Sequence, residues 1–269
     1  MGLDEALGRI RRMNCKLAVK RIADQLREFA RKAGRKKAVV GLSGGVDSSA
    51  VAFIAARAFG RKNVIAAVLP SAATGGGDAG DAREVAERLG VQLVEFNIAP
   101  IVRAFAGLNA GGARLMTKTD FGNIAARVRM ACLYNLAARS NGLVIGTSDK
   151  SEILLGYFTK YGDGGADVLP LGGLFKTQVK ELARMLGVPK KIIQKPPSPN
   201  LWLGQTAEEE LGASYEELDA VLWALEKKWG AGKIEKRLGV KKWLVERVER
   251  LNRESGHKRK MPPVLNAFK

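Results

Sequence analysis

Four short apolar runs, rich in β-branched residues, recur along the first half of the chain: KAVVGL at 37–42, NVIAAVLP at 63–70, VQLVEFN at 91–97 and GLVIGT at 142–147. Between and after them lie stretches with helical spacing, at 47–59, 79–89, 98–108 and about 121–140. Strands read as apolar on both faces and separated by helices predict a parallel sheet covered on each side, with right-handed crossovers. The expected fold is therefore α/β, a doubly wound parallel sheet with helices on both faces. Its ligands should sit at the carboxyl ends of the strands.

Upstream, from about Asp4 to Lys32, Leu17, Val19, Ile22, Leu26 and Phe29 form a stripe that predicts one amphipathic helix leading into the domain. Beyond Ser148 the alternation weakens into a helical C-terminal part, with helices expected at 176–186, 207–228 and 241–253. QKPPSPN at 194–200 should be extended, because each proline restricts its predecessor. SAATGGGDAGDA (71–82) and AGLNAGGARLMTKT (106–119) read either as surface loops or as lids over a substrate. ESGHKRKMPPVLNAFK closes the chain as a polar turn and a docked or frayed end. No internal repeat or composition break divides residues 1–269, which read as a single domain.

Composition narrows the functional classes. At 46% hydrophobic the chain of 269 residues can bury a real core. No apolar run reaches the roughly 20 residues of a membrane helix, and MGLDEALGRIRRMNCK puts acids and arginines where a signal peptide is apolar. A soluble cytoplasmic protein with no membrane partner is expected. Cys15 and Cys132 stand far apart without CxxC partners, so they read as packing residues rather than a disulfide framework or metal site. A net charge of +18 points to anionic partners, whether nucleic acid or polyphosphate, or to no more than a charge-rich surface.

The candidate chemistry starts at VVGLSGGVDSSAV (39–51). A strand ending at Leu42, adjacent glycines and a helix starting near Asp47 would present backbone N–H groups and a positive dipole end at the ligand edge of the sheet. That geometry binds phosphate, although a tight turn capped by Asp and Ser would read the same way. The string lacks GxxxxGK[ST], which disfavours a phosphoryl-transferring P-loop enzyme.

SGGVDSS resembles the pyrophosphate loop of the ATP pyrophosphatase superfamily, whose members split ATP to AMP and pyrophosphate. NIAARVRM (123–130), GTSDKSEILLGYFTKYGDGGADVLPLGGLFKTQV (146–179), KPPSPNLWLGQT (195–206) and GHKRKMPP (256–263) resemble ammonia-dependent NAD synthetase. The likeness runs in order over roughly residues 20–263. It implies an adenine nucleotide alpha hydrolase-like fold and a ligase of NAD biosynthesis. In that reaction the carboxylate of nicotinic acid adenine dinucleotide (deamido-NAD) attacks the α-phosphate of ATP, pyrophosphate leaves, and ammonia displaces AMP from the acyl adenylate.

Carried over residue by residue, the resemblance implies that Gly41, Leu42, Ser43, Gly44, Gly45, Val46, Asp47 and Ser48 cradle the pyrophosphate of ATP. Asp47 and Glu152 would coordinate Mg²⁺, carboxylates being what a hard cation requires. Thr147, Lys176 and Ser198 would contact ATP, with Lys176 stabilising charge on the α-phosphate; Asp47 and Lys176 are thus the catalytic candidates. Arg127, Lys160, Asp167, His257 and Lys258 would contact deamido-NAD. Taken singly, each of these could be a solvated charge, a cap or a turn residue. Arg127 and Arg129, two apart on a helix, cannot share a face, so one at most should point into a given pocket. Tyr157, Phe158 and Tyr161 could stack on a base or anchor a loop, Trp202 could close over the nucleotide, and Trp223, Trp229 and Trp243 read as core or interface.

Two positions depart from the family pattern: Asp149, where many members have Asn, and Ala207, where an acidic residue commonly precedes the Glu run. The first adds negative charge beside the proposed metal. Only 40 residues precede Gly41, too few for a glutamine-hydrolysing domain, so free ammonia is the expected nitrogen donor. The resemblance also implies a homodimer with helix 121–140 near the contact. A tRNA-modifying adenylase suits the charge and the loop but lacks its cysteine pair, so no nucleic acid partner is expected. A non-catalytic ATP sensor would bind ATP without releasing pyrophosphate.

Overall fold

The structure, a computed structural model, describes residues 2–71, 76–107, 116–202 and 204–265. The helix expected over Asp4 to Lys32 is two helices, α1 (Leu3–Arg11) and α2 (Cys15–Lys32). Asn14 makes the break, because its side chain accepts the Leu17 amide at 3.0 Å and caps α2. The buried stripe of α2 is Val19, Ala23, Leu26 and Ala30. Leu17 and Phe29 do not belong to that 4–3–4 spacing and stand 41% and 39% exposed. Alanines, not the larger apolar residues, complete the contact face.

From there β1 (Lys37–Gly41), α3 (Val46–Phe59), β2 (Val64–Val68), α4 (Gly76–Leu89) and β3 (Gln92–Glu95) follow in the expected alternation. They are succeeded by α5 (Ala99–Gly107), α6 (Lys118–Ser140) and β4 (Gly142–Ile145). The strands pair in parallel in the order β3-β2-β1-β4, with Val39 opposite Ile65 on one side and Val144 on the other. Alternate residues of β1 serve opposite faces. Ala38 and Val40 pack with α2 and α3, while Val39 joins Ala137 on α6. Burial on both sides explains the unbroken apolar run. The chain builds outward from β1 to β3 and then returns to place β4 on the other flank of β1, so the order reverses between β1 and β4. That switch point is where a doubly wound sheet opens a crevice.

One strand corrects the expectation of two buried faces. In β3, one of the two edge strands, Gln92, Leu93 and Glu95 are exposed, whereas β4 at the other edge is buried throughout. Exposure continues in Phe96, in Ile101 and Phe105 one turn apart on α5, and in Phe121 on α6.

The C-terminal part comprises α7 (Lys150–Leu155), α8 (Lys176–Leu186), α9 (Lys190–Gln194), α10 (Ala207–Leu211), α11 (Tyr215–Glu226), α12 (Ala231–Leu238) and α13 (Lys242–Glu254). The helix expected over 207–228 breaks at Gly212, which has φ 80°, and restarts where Ser214 and Glu217 form a reciprocal cap for α11. Leu7 and Ile10 of α1 pack with Tyr215, Leu218, Leu222, Ile234 and Leu244 in a second core, separate from that of the sheet. Trp223 and Trp229 meet edge to face at 5.7 Å beside this core, while Trp243 is exposed. QKPPSPN does not run extended throughout: Gln194 is the last residue of α9 and Asn200 turns into the left-handed region at φ 51°, with only the stretch between them free of helix. Most of the 106–119 segment and residues 72–75 lie outside the described residues. No helix among the described residues is long and apolar enough to cross a membrane.

Candidate active site

At the carboxyl end of β1 the chain turns through Ser43, Gly44 and Gly45 into α3. Gly44 has φ 79°, and a Cβ there would stand 2.2 Å from the Asp78 carbonyl oxygen, so the turn needs both glycine's conformational freedom and its lack of a side chain. The residue capping α3 is Gly45, which supplies no side-chain oxygen to the first amides of the helix. Uncapped amides at the positive end of a helix are an anion site. Ser48 shapes the turn: its Oγ accepts the Ser43 amide at 3.2 Å and donates to the Gly45 carbonyl at 3.1 Å.

Across the switch point, β4 leads through Gly146, Thr147 and Ser148 to α7. Asp149 caps α7, with Oδ1 accepting the Glu152 amide at 2.8 Å while Glu152 Oε2 accepts the Asp149 amide at 3.1 Å. This reciprocal cap aims Glu152 at the turn of β1. Lys176, the first residue of α8, enters from a third direction and is 1% exposed. Its ammonium donates to Asp47 Oδ2 at 2.7 Å and Glu152 Oε1 at 2.9 Å, and stands 3.0 Å from Asp149 Oδ2. The ring of Tyr215 lies 5.1 Å from the same nitrogen.

Three carboxylates thus surround one ammonium. Burial alone would push Lys176 down; the charges of Asp149, Asp47 and Glu152 more than offset it and hold the ammonium well above an ordinary lysine. Burial raises Asp149 and Glu152 above the usual carboxylate range, against the pull of Lys176 and with the push of neighbouring carboxylates. When ionised, the cluster carries more negative charge than Lys176 can neutralise, which suits a hard cation. Asp47 Oδ1 adds to the fit, since it is buried and has no hydrogen-bond partner. Among the described residues no group of three or more His, Cys, Asp or Glu side chains has metal-holding geometry by itself. Asp47 and Glu152 would therefore hold a divalent ion together with oxygens of a bound phosphate.

These groups open on one cavity of about 580 Å³, within the size range of small-molecule sites. Of the residues expected from sequence, Gly41, Leu42, Ser43, Gly45, Val46, Asp47, Ser48, Thr147, Glu152, Lys176, Ser198 and Lys258 line it. Gly44 does not line it and shapes the turn beside it. Lys258 is tied down, donating to the carbonyls of Gly156 at 2.8 Å and Phe158 at 2.9 Å. Tyr157, Phe158 and Trp202 also line the cavity; Tyr161 is exposed away from it.

Four further expected contacts, all assigned to the dinucleotide, are not brought to this cavity within one chain. Arg127 is exposed on α6, and it is Arg129, two positions on and facing another way, that lines the cavity and donates to the Leu69 carbonyl at 3.1 Å. Asp167 accepts the Val144 amide at 2.7 Å and the Tyr134 hydroxyl at 3.2 Å, which serves the open edge of β4. Lys160 lies over the Tyr161 ring, and His257 is exposed on the short helical turn Ser255–Arg259.

The cavity also contains residues to which sequence reading gave no role. Lys195 donates to Asp78 at 2.8 Å and to Asp81, joining the KPPSPN segment to the start of α4 beside the β1 turn. Glu210 accepts from the Tyr157 hydroxyl at 2.6 Å and from Gln205 Nε2 at 2.9 Å. Asn123 accepts from the Thr159 hydroxyl at 2.6 Å, and Asp163 accepts the Thr159 amide at 2.8 Å. Lys195, Asn123 and Asp163 lay inside quoted motifs and Glu210 in the Glu run after Ala207, but the sequence did not show which residues of those stretches the fold turns into the cavity.

A family model described as NAD synthase matches residues 18–262. The NH(3)-dependent NAD(+) synthetase of Pyrococcus horikoshii is 44% identical over 246 residues, covering 90% of this chain and 93% of that protein. The structure of NMN synthetase from Francisella tularensis superposes with a TM-score of 0.84 at 35% identity, covering 94% of this chain and 99% of that one. The NH3-dependent NAD synthetase from Campylobacter jejuni, in complex with the nitrate ion, gives 0.79 at 30% identity, over 94% and 100% of the two chains.

Proposed function

The chain belongs to the NAD synthase family, and from that membership we propose how its own residues divide the work. The activity is the ATP-dependent amidation of deamido-NAD to NAD with ammonia, through an acyl adenylate and with release of AMP and pyrophosphate. ATP is a substrate. Its β- and γ-phosphates rest on the backbone of Ser43 to Ser48 and the start of α3. Thr147 and Ser198 contact the nucleotide. Asp47 and Glu152 would hold Mg²⁺, which when bound would supply charge neutralisation for the triphosphate.

The step needs no protein nucleophile, because the substrate's carboxylate oxygen is the attacking atom. What the protein must supply is placement of two anions and compensation of charge as pyrophosphate departs. Lys176 carries that second role, and the observation that supports it is its burial among Asp47, Asp149 and Glu152 at 2.7–3.0 Å. The ammonium keeps its charge in a nearly dry site, where its field is least screened. On binding of the triphosphate, Lys176 would exchange carboxylate for phosphate oxygens.

Deamido-NAD takes the rest of the cavity, with Lys258 on its rim. Arg127, Lys160, Asp167 and His257 stand outside that cavity in one chain; their assignment to the dinucleotide rests on the family resemblance and on a second subunit completing the site. A homodimer is supported by the exposed apolar residues Leu93, Phe96, Ile101, Phe105 and Phe121, which monomers rarely leave bare. We take residues 1–269 as one synthetase domain acting in the cytoplasm on free ammonia.

The acyl-adenylate route is tested with deamido-NAD labelled by ¹⁸O in its carboxylate. One labelled oxygen should leave in AMP and none in pyrophosphate; label confined to NAD and water would overturn it. A second reading, amidation of nicotinic acid mononucleotide, is favoured by the likeness to the Francisella NMN synthetase. The same assay with the mononucleotide in place of the dinucleotide separates the two.

A further inference from the structure

The helix that carries Lys176 lacks a cap of its own. Phe175 occupies the capping position of α8 and has no side-chain oxygen to offer, so the first amides of the helix need partners from elsewhere. The Lys176 amide donates to Ser151 Oγ at 3.0 Å, and the Thr177 amide donates to Asp219 Oδ2 at 2.8 Å. Ser151 in turn donates its hydroxyl to Asp219 Oδ1 at 2.5 Å. Asp219 belongs to α11, in the second core, and both Asp219 and Ser151 are 0% exposed.

We propose that Asp219 is a positioning residue: its buried carboxylate ties the N-termini of α7 and α8 to each other and thereby sets where Glu152 and Lys176 stand. The linkage is short in covalent terms. Ser151 immediately precedes Glu152, and Thr177 immediately follows Lys176. Two oxygens of one carboxylate thus fix the two backbone segments whose next side chains meet at 2.9 Å. A carboxylate suits this place because both oxygens accept and because negative charge is favoured where two helices begin. An amide would offer one acceptor and would set an N–H₂ against the Thr177 N–H or the Ser151 hydroxyl. The same helix presents Tyr215 to the Lys176 ammonium, so α11 meets this lysine at its side chain and, through Thr177, beside its backbone.

The proposal rests on the synthetase reading of the site, and on wild-type protein as its reference. A cross-link that only supports the fold would lower the melting temperature of Asp219→Asn and leave kcat per folded molecule unchanged. Positioning predicts a different split. We expect Asp219→Asn to lower kcat about 10- to 100-fold, the scale of a misplacement near 1 Å, with KM for deamido-NAD within about threefold of wild type. Ser151→Ala, which breaks one arm, should lose kcat in the same direction, and Ser151→Thr, which keeps the hydroxyl, should recover most of it.

Hydrogen exchange at the Lys176 and Thr177 amides reads the linkage without turnover: slow in wild type, fast in Asp219→Asn, with the sheet amides unchanged. Wild-type protein that makes no NAD but shows this pattern would count against the function and not against the linkage. Wild-type kcat in folded Asp219→Asn, or Ser151→Thr no better than Ser151→Ala, would overturn the proposal. If Asp219→Asn does not fold, the two Ser151 variants decide it.

Discussion

Replacing Lys176 with methionine keeps the length of the side chain and removes its charge, leaving three carboxylates facing one another. Asp149 is fully buried, whereas the side chains of Asp47 and Glu152 are 20% and 21% exposed, so most of the penalty falls on Asp149. Removing one partner of a buried ion pair costs about 3–5 kcal/mol. For a domain of this size that corresponds to a fall in melting temperature of roughly 6–20 °C at neutral pH. The pH dependence has a definite sign. Asp149 and Glu152 already sit above their ordinary range, and loss of Lys176 raises them further above their unfolded values. Groups raised in the folded state contribute stability at low pH that is lost as pH climbs through the folded values. The deficit of Lys176→Met should therefore be widest near pH 8 and shrink toward pH 5. Scanning calorimetry of both proteins across that range, with and without Mg²⁺, is the assay. Magnesium should restore part of the loss in the variant and add less to wild type. A shift below about 2 °C at pH 8, or a deficit that does not change between pH 5 and pH 8, would refute the charge balance described here.

The metal pair should respond in its own way: Asp47→Asn and Glu152→Gln each lower kcat by about 10²–10³ and raise the Mg²⁺ concentration for half-maximal activity, read from initial rates at fixed ATP. Gly44→Ala places a methyl group against the Asp78 carbonyl and a side chain at φ 79°, so it should cost about 1–3 kcal/mol in denaturant unfolding and raise KM for ATP. On the proposed homodimer, Phe105→Asp, which places a charge on the exposed apolar face of α5, should sediment as a monomer where the wild type sediments as a dimer.

Much of the architecture was legible because its signals are local. Unbroken apolar strands announced a parallel sheet, covered on both faces except at β3, and the glycine-rich turn after the first of them lies at its carboxyl edge. Departures came where tertiary context decides. Asn14 and Gly212 divide helices that the periodic pattern joined, and the contact face of α2 is built on alanines that a search for large apolar residues passes over. The helices α7, α9 and α12 were not anticipated; at 6, 5 and 8 residues they span roughly two turns or fewer, which leaves little repeated pattern to read.

The site divides similarly. Residues in contiguous motifs, Ser43, Gly45 to Ser48, Thr147, Glu152 and Lys176, meet in one cavity. What the chain order could not show is that Asp149 becomes the third carboxylate around Lys176, that α6 turns Arg129 rather than Arg127 inward, or that Asp219, 42 residues beyond Thr177, caps the helix of Lys176. The role of the +18 charge has no counterpart in the site geometry.

The most direct test of the account is the stoichiometry of the reaction. Purified protein is incubated with ATP, Mg²⁺ and deamido-NAD, with ammonium or glutamine or neither, and NAD, AMP and pyrophosphate are quantified together. The account predicts the three products in equal amounts, formed with ammonium and not with glutamine. ATP cleavage without NAD, or amide formed from the mononucleotide and not from deamido-NAD, would contradict it.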